Sequence, residues 1–185
     1  GGILIVHVDI ANSIVTQQSY GISNDDGGGT ATADVNFSDV WGNTTMNYFG
    51  SAEGVGCLSQ NPLYVSAPSN MRLTSNSPAR FAADDAGDLG PLPYVDDATP
   101  GFHGTLWTNT NFNLAGSPYT LKGDVTVPPG VVVTIAPGVT LQWANGDLMG
   151  TGTDAARGEH AGVVKKGNSK LEGNSKIQTQ SLAKI

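Results

Sequence analysis

Charge, cysteine and long apolar runs are all scarce in this chain. Charged residues make up 14% of its 185 positions, against about 25% in ordinary soluble domains, a composition seldom used for helical bundles. The single cysteine, Cys57, excludes an intrachain disulfide. With no Cys or His neighbour at zinc spacing it reads as a buried free thiol, which leaves stability to packing. No apolar run approaches the roughly 20 residues of a membrane-spanning helix, so no membrane insertion is expected. The opening Gly1-Gly2-Ile3-Leu4-Ile5-Val6 has neither the charged region nor the length of a signal peptide. Lys and Arg number 9 against 16 Asp and Glu, a net charge of −7, which makes nucleic acid and anionic lipid poor electrostatic partners. The imbalance is regional: residues 1–157 carry 4 basic and 14 acidic groups, and residues 158–185 carry 5 and 2. The length leaves room for one domain or two small ones and none for a large multidomain enzyme. Lacking an initiator Met and entering a strand-like run at once, the sequence reads as a processed chain or a segment of something longer.

What is abundant is Gly, 25 residues of it, together with Thr, Ser, Asn and Val. Counted with Gly and without Tyr, the apolar fraction is about 49%, inside the usual globular range, so global disorder is not expected. Val6, Val8 and Ile10 alternate with His7, Asp9 and Ala11, the period of a strand with one buried face. After the interruption Asn12-Ser13, Ile14-Val15 resumes. The same grammar returns about 27 residues after Val8, in Val35-Asn36-Phe37-Ser38-Asp39-Val40-Trp41, beyond a turn-rich Asn24-Asp25-Asp26-Gly27-Gly28-Gly29. Strand, polar corner, short strand and glycine turn are what each coil of a parallel β-helix needs, with inward Val, Ile or Phe stacked on the equivalent residue of the next coil.

A second repeat has a shorter period. Pro129-Gly130-Val131-Val132-Val133-Thr134-Ile135 is followed by Pro137-Gly138-Val139-Thr140-Leu141-Gln142-Trp143, and Asp124-Val125-Thr126-Val127-Pro128 precedes both. Pro fixes φ and Gly accepts positive φ, so each Pro-Gly predicts a turn and the block predicts short strands folded tightly back and forth. One face of these strands must be covered by a following coil or by another chain.

Residues 57–105 show no sustained period, and Pro62, Pro68, Pro78, Pro91, Pro93 and Pro100 argue against a long helix. This stretch reads as an ordered loop wrapped on a scaffold. The tail contains Gly167-Asn168-Ser169-Lys170-Leu171-Glu172, nearly repeated as Gly173-Asn174-Ser175-Lys176-Ile177-Gln178. It reads as a flexible polar tail, as an added rung with Leu171 and Ile177 inward, or as sequence foreign to the parent protein. The expected organisation is all-β: coils with a wrapping loop over 1–95, a connector over 96–118, a short-strand second block over 119–157, and a Lys-containing tail over 158–185.

Two stretches carry a resemblance. Cys57-Leu58-Ser59-Gln60-Asn61-Pro62-Leu63-Tyr64-Val65 with Met71-Arg72-Leu73-Thr74-Ser75-Asn76-Ser77-Pro78-Ala79 resembles the closing segment of secreted bacterial right-handed parallel β-helix proteins of the pectate-lyase-like kind. The segment from Gly123 to Leu141 is similar to the opening of another such helix. The resemblance, over roughly residues 1–145, implies the last coils of one solenoid, a connector and the first rungs of a second. The chain departs from the pattern at Asn76 and at Arg80-Phe81, where the family has Gly and small acidic residues, and nothing after about Gly158 matches the continuation.

Many such proteins act on polysaccharides, and that chemistry needs paired carboxylates about 5–10 Å apart. On the 27-residue alignment Asp9 lies near Asn36 and Asn12 near Asp39, which reads as a solvated strand face. Phe102-His103-Gly104 lacks the companions of a pectinase-like site. With His7 alternating outward and His160 in the tail, no Ser/His/Asp or metal triad is visible in the spacing. Gly27-Gly28-Gly29 lacks the Lys and Ser/Thr of a phosphate cradle and is a turn. Oxygen-rich turns at Asp25-Asp26, at Asp84, Asp85 and Asp88, and at Asp96-Asp97 would suit calcium, or be solvated turns. Trp41, Tyr48, Phe49, Tyr64 and Trp107 would stack on sugar rings if exposed, or lie beneath the connector. No other cofactor is expected. The leading expectation is a non-enzymatic, secreted or cell-surface solenoid segment acting in self-assembly into filaments or in adhesion. Its assembly positions are Ile3, Ile5, Val8 and Ile10 at one end and Val133, Ile135, Leu141 and Trp143 at the other, and its partner is another copy or a further β-helix chain. The alternative is a fragment of a polysaccharide-active enzyme or carbohydrate-binding module.

Overall fold

The structure, a computed structural model, describes residues 5–25, 30–97, 101–144 and 147–149, and the strand backbones at 163–165, 170–172 and 176–177. It is an all-β solenoid of parallel stacked coils, divided into two compact units, Gly1–Asp96 and Asp97–Ile185.

In the first unit, β1 (Ile5–Ala11), β2 (Ile14–Thr16) and β3 (Tyr20–Ser23) form one coil, and β4 (Thr30–Asn36), β5 (Asp39–Trp41) and β6 (Met46–Phe49) the next. Strands pair parallel, β1 with β4, β2 with β5 and β3 with β6. The repeat is 25 residues at Ile10↔Val35 and Val15↔Val40 and 26 at Ile22↔Tyr48. Those pairs are columns of the core: Ile22, Val35 and Val40 are buried, with Ile10, Val15, Tyr48 and Cys57 packed against them. Corners recur at the same interval. Asn12 (φ 53) sits above Phe37 (φ 44), and Gln17 (φ 61) above Gly42 (φ 65), so the left-handed conformation that bends the chain is built twice per coil. A third coil begins where Leu58 bridges Asp39 and the Phe37 amide donates to Val55 O at 2.8 Å.

The chain then leaves the stack. The antiparallel pair β7 (Tyr64–Ser66) and β8 (Asn70–Leu73) and the turns after it bury Leu73, Ala79, Ala83 and Leu89 against Ile14, Leu58 and Tyr64. This ordered loop is tied to the coils by Asn12, which exchanges side-chain and backbone bonds with Asp84 at 2.7 and 3.0 Å and accepts from the Gly90 amide at 3.0 Å. Arg80, where the sequence departs from the pattern it resembles, is buried against this loop. Its guanidinium lies 3.6 Å from the Tyr94 ring centroid, and Nη1 donates to Ser75 O at 2.8 Å.

The second unit stacks β9 (Gly104–Thr105), β10 (Thr110–Phe112) and β11 (Tyr119–Leu121) on β12 (Val125–Val127), β13 (Val132–Ile135) and β14 (Thr140–Trp143). Next in the stack come β15 (Val163–Lys165), β16 (Lys170–Glu172) and β17 (Lys176–Ile177). The three sheets run β9-β12-β15, β10-β13-β16 and β11-β14-β17. The expectation that residues 125–143 double back on themselves is therefore corrected: β12, β13 and β14 never pair with one another. Each Pro-Gly is a corner between two sides of one coil. In both, Pro precedes a Gly at φ 84 or 83, and the Val131 and Val139 amides close the turns onto Pro128 O and Ala136 O, each at 3.2 Å. Phe112 stacks on Ile135 and Leu121 on Trp143 by register, and all four are buried. Phe102 and Tyr119 close the aromatic end of this core around Phe112, with centroids 4.9–5.0 Å apart. Gly104–Thr105 and Thr110–Phe112, within the stretch read as a connector, are strands of this unit's first coil. In the tail the near-repeated hexapeptides supply β16 and β17, whose backbones pair Leu171 with Val133 and Ile177 with Leu141.

Candidate functional site

Alternation along β1 and β4 sends Val6, Val8, Ile10, Ala31, Ala33 and Val35 to one face, leaving His7, Asp9, Thr32 and Asp34 on the other. The register sets Asp9 opposite Asp34 and His7 opposite Thr32, which corrects the pairing of Asp9 with Asn36 and of Asn12 with Asp39. His7 Nε2 is 3.0 Å from Asp9 Oδ1 and 3.7 Å from Asp34 Oδ2. On the other side of the ring, Nδ1 is 2.7 Å from Thr32 Oγ1. His7, Asp9 and Asp34 are all exposed, one nitrogen or oxygen from each lies within 4.8 Å of the others, and no other such group of three His, Cys, Asp or Glu occurs among the described residues. Sequence spacing showed no triad because it placed Asp34 two residues out of register.

The second chemical feature is interior. Asp39, at the start of β5, is fully buried; Oδ1 accepts from the Gln60 amide at 3.2 Å, and Oδ2 has no hydrogen-bond partner among the described residues. Burial pushes its carboxyl up to about 7, with Glu53 adding to the rise and the Gln60 N–H opposing it. Burial and the neighbouring Cys57 likewise raise the Tyr48 phenol. Burial also raises Tyr64, against a hydrogen bond from Thr16. Cys57 is half-buried and free, its thiol donating to Val35 O at 3.3 Å. Sequence alternation showed only a polar residue in a short strand at Asp39. What buries it, the chain at Leu58–Gln60, is remote in sequence.

The other candidates disperse. Asp84, Asp85 and Asp88 do not converge: Asp84 bonds Asn12 at 2.7 Å, Asp85 the Gly87 amide at 2.8 Å and Asp88 the Phe81 amide at 3.2 Å. Asp25, Asp96 and Asp97 join no ligating group of three among the described residues, and Asp26 and Gly27–Gly29 lie outside those residues. Tyr48 packs on the core and Tyr64 on the cap, and both, like Trp41 and Trp107, are half-buried. Of the aromatics named from the sequence Phe49 is exposed, in edge contact with the exposed Tyr20 at 5.7 Å between centroids, and Phe81 and Tyr94 are exposed on either side of Arg80. His103 is half-buried, its imidazole held below the usual range by burial and then by Lys122, and His160 lies outside the described residues. Of the assembly positions, Val8 is exposed and Ile10 half-buried, whereas Ile3 and the Ile5 side chain lie outside the described residues. Val133, Ile135, Leu141 and Trp143 are buried core residues of strands in the middle of their sheets, not at the end of a stack. No helix among the described residues is long and apolar enough to cross a membrane.

Compared with family models, curated proteins and solved structures, the chain gives no match.

Proposed function

We propose that the chain is a structural, non-catalytic β-solenoid element of the cell surface or extracellular space, working by stacking on further β-helical coils in self-assembly or adhesion. The observation that carries this reading is at β1. Val6 and Val8 are 44% and 48% exposed although they share the face that buries Val35. Among the described residues β1 pairs with β4 alone, so its other backbone edge offers a row of donors and acceptors to an incoming parallel strand. The occupant is a coil of the same kind, because only an apolar rung continues the column begun by Val6, Val8 and Ile10. Sedimentation and electron microscopy test it. Concentration-dependent, end-to-end oligomers that are lost in Val8→Lys support the reading, and a monomer at every concentration contradicts it.

A second reading has its own observation: Asp9 and Asp34 face each other across adjacent coils, the arrangement a polysaccharide-active β-helix would use. Reducing-end and unsaturated-product assays on acidic and neutral polysaccharides test it. Turnover abolished in Asp9→Ala would replace the first reading with this one.

A further inference from the structure

We infer that the outer face of β1 and β4 binds a divalent transition metal ion through His7, Asp9 and Asp34, zinc being the probe that fits the donors. The inference is independent of how the solenoid assembles. A tetrahedral zinc with bonds of about 2.0–2.2 Å holds neighbouring ligand atoms about 3.3–3.6 Å apart. The two separations from His7 Nε2, 3.0 and 3.7 Å, bracket that spacing. The remaining separation is within 4.8 Å, and the exposed carboxylates close it by side-chain torsion with the strands unmoved.

The supporting contact is of the kind a metal-bound imidazole uses. Thr32 Oγ1, 2.7 Å from Nδ1, accepts the ring proton when Nδ1 carries it, which turns the Nε2 lone pair toward the two carboxylates. Two carboxylates and a neutral imidazole balance the charge of a divalent ion, and the mixed nitrogen and oxygen set selects zinc-like ions over calcium, which takes six to eight oxygens. Three protein ligands leave the fourth position to water. Within residues 1–96 the only Lys or Arg are Arg72, which donates to Pro93 O at 3.2 Å, and Arg80, stacked on Tyr94.

Titration of the full chain with Co²⁺ and then Zn²⁺ in chelator-free buffer, followed by visible absorption and calorimetry, tests this. The expected result is saturable one-to-one uptake with the absorption of a four- or five-coordinate cobalt, displaced by zinc. His7→Gln and Asp34→Asn should each weaken it at least tenfold, Thr32→Val several-fold, and Cys57→Ser and His103→Gln not at all. No saturable uptake, uptake unchanged in His7→Gln, or a preference for calcium over zinc would each overturn the inference, the first leaving His7 simply hydrogen-bonded to Asp9.

Discussion

Asp39→Asn should abolish a loss of stability that the wild type undergoes between about pH 4 and 7, and differ from it by a constant amount in stronger acid. The buried carboxyl titrates near 7 in the folded chain against 3.8 as its ordinary value. Below about pH 4 both folded and unfolded chains hold the proton, and burial of the neutral acid adds no pH dependence. Between about pH 4 and 7 the folded chain keeps a proton that the unfolded chain has released, so stability falls as pH rises. The slope reaches about 1.4 kcal/mol per pH unit and the total is about 4 kcal/mol above pH 7. Asparagine preserves the acceptor for the Gln60 amide and cannot ionise. Its extra N–H group shifts the variant equally at every pH, so the quantity to read is how the difference between wild type and Asp39→Asn changes with pH. Urea denaturation at steps from pH 4 to 8.5 measures it. The account predicts a gap that opens by about 4 kcal/mol in favour of the variant between pH 4 and 7 and then levels. A gap that stays constant, or moves in favour of the wild type, refutes the burial argument.

Gly130→Ala should cost about 1–2 kcal/mol through backbone strain alone, since φ is +84 and an added Cβ meets nothing within 4 Å. Gly130→Asn, at a conformation Asn tolerates, should recover part of that loss in a thermal melt. Leu121→Ala, at 1% exposure beneath Trp143, should cost about 2–5 kcal/mol by chemical denaturation, whereas Thr120→Ser, exposed on the same strand, should stay within about 0.5 kcal/mol. Arg80→Leu should lower stability by about 2 kcal/mol, the loss of one charge-assisted hydrogen bond and of the contacts with the Phe81 and Tyr94 rings. Tyr94→Phe, which keeps the ring face, should leave it nearly unchanged in the same assay.

The fold was legible in the sequence wherever inward aliphatic residues recur, as at Ile10 and Val35, because alternation and repetition are the physical conditions for stacked rungs. The register was not. A slip of one residue turns every side chain to the opposite face, but a slip of two restores the pattern, so hydrophobicity alone does not separate 25 from 27. That ambiguity is enough to hide the approach of His7 to Asp34. At Pro129-Gly130 and Pro137-Gly138 the turn itself was readable. A type II turn serves a hairpin or a solenoid corner alike, and the choice rests on where the next strand finds a partner; Val133 finds Thr110, 23 positions back. Arg80 looked like a departure from a turn pattern because its stabilising partner, Tyr94, follows only 14 residues later, beyond the turn at residues 83–87. Asp39 shows the same limit at the level of chemistry, since composition reveals a carboxylate and only the returning chain at Gln60 removes its water.

Methyl and aromatic nuclear Overhauser contacts test the stacked-rung architecture most directly, because neighbouring strands lie about 4.8 Å apart and residues two places out of register are well beyond that. The account predicts strong contacts from Ile10 to Val35, Val15 to Val40, Phe112 to Ile135 and Leu121 to Trp143. Contacts from Val8 to Val35 stronger than those from Ile10 to Val35, or antiparallel contacts joining residues 125–127 to 132–135, would contradict it.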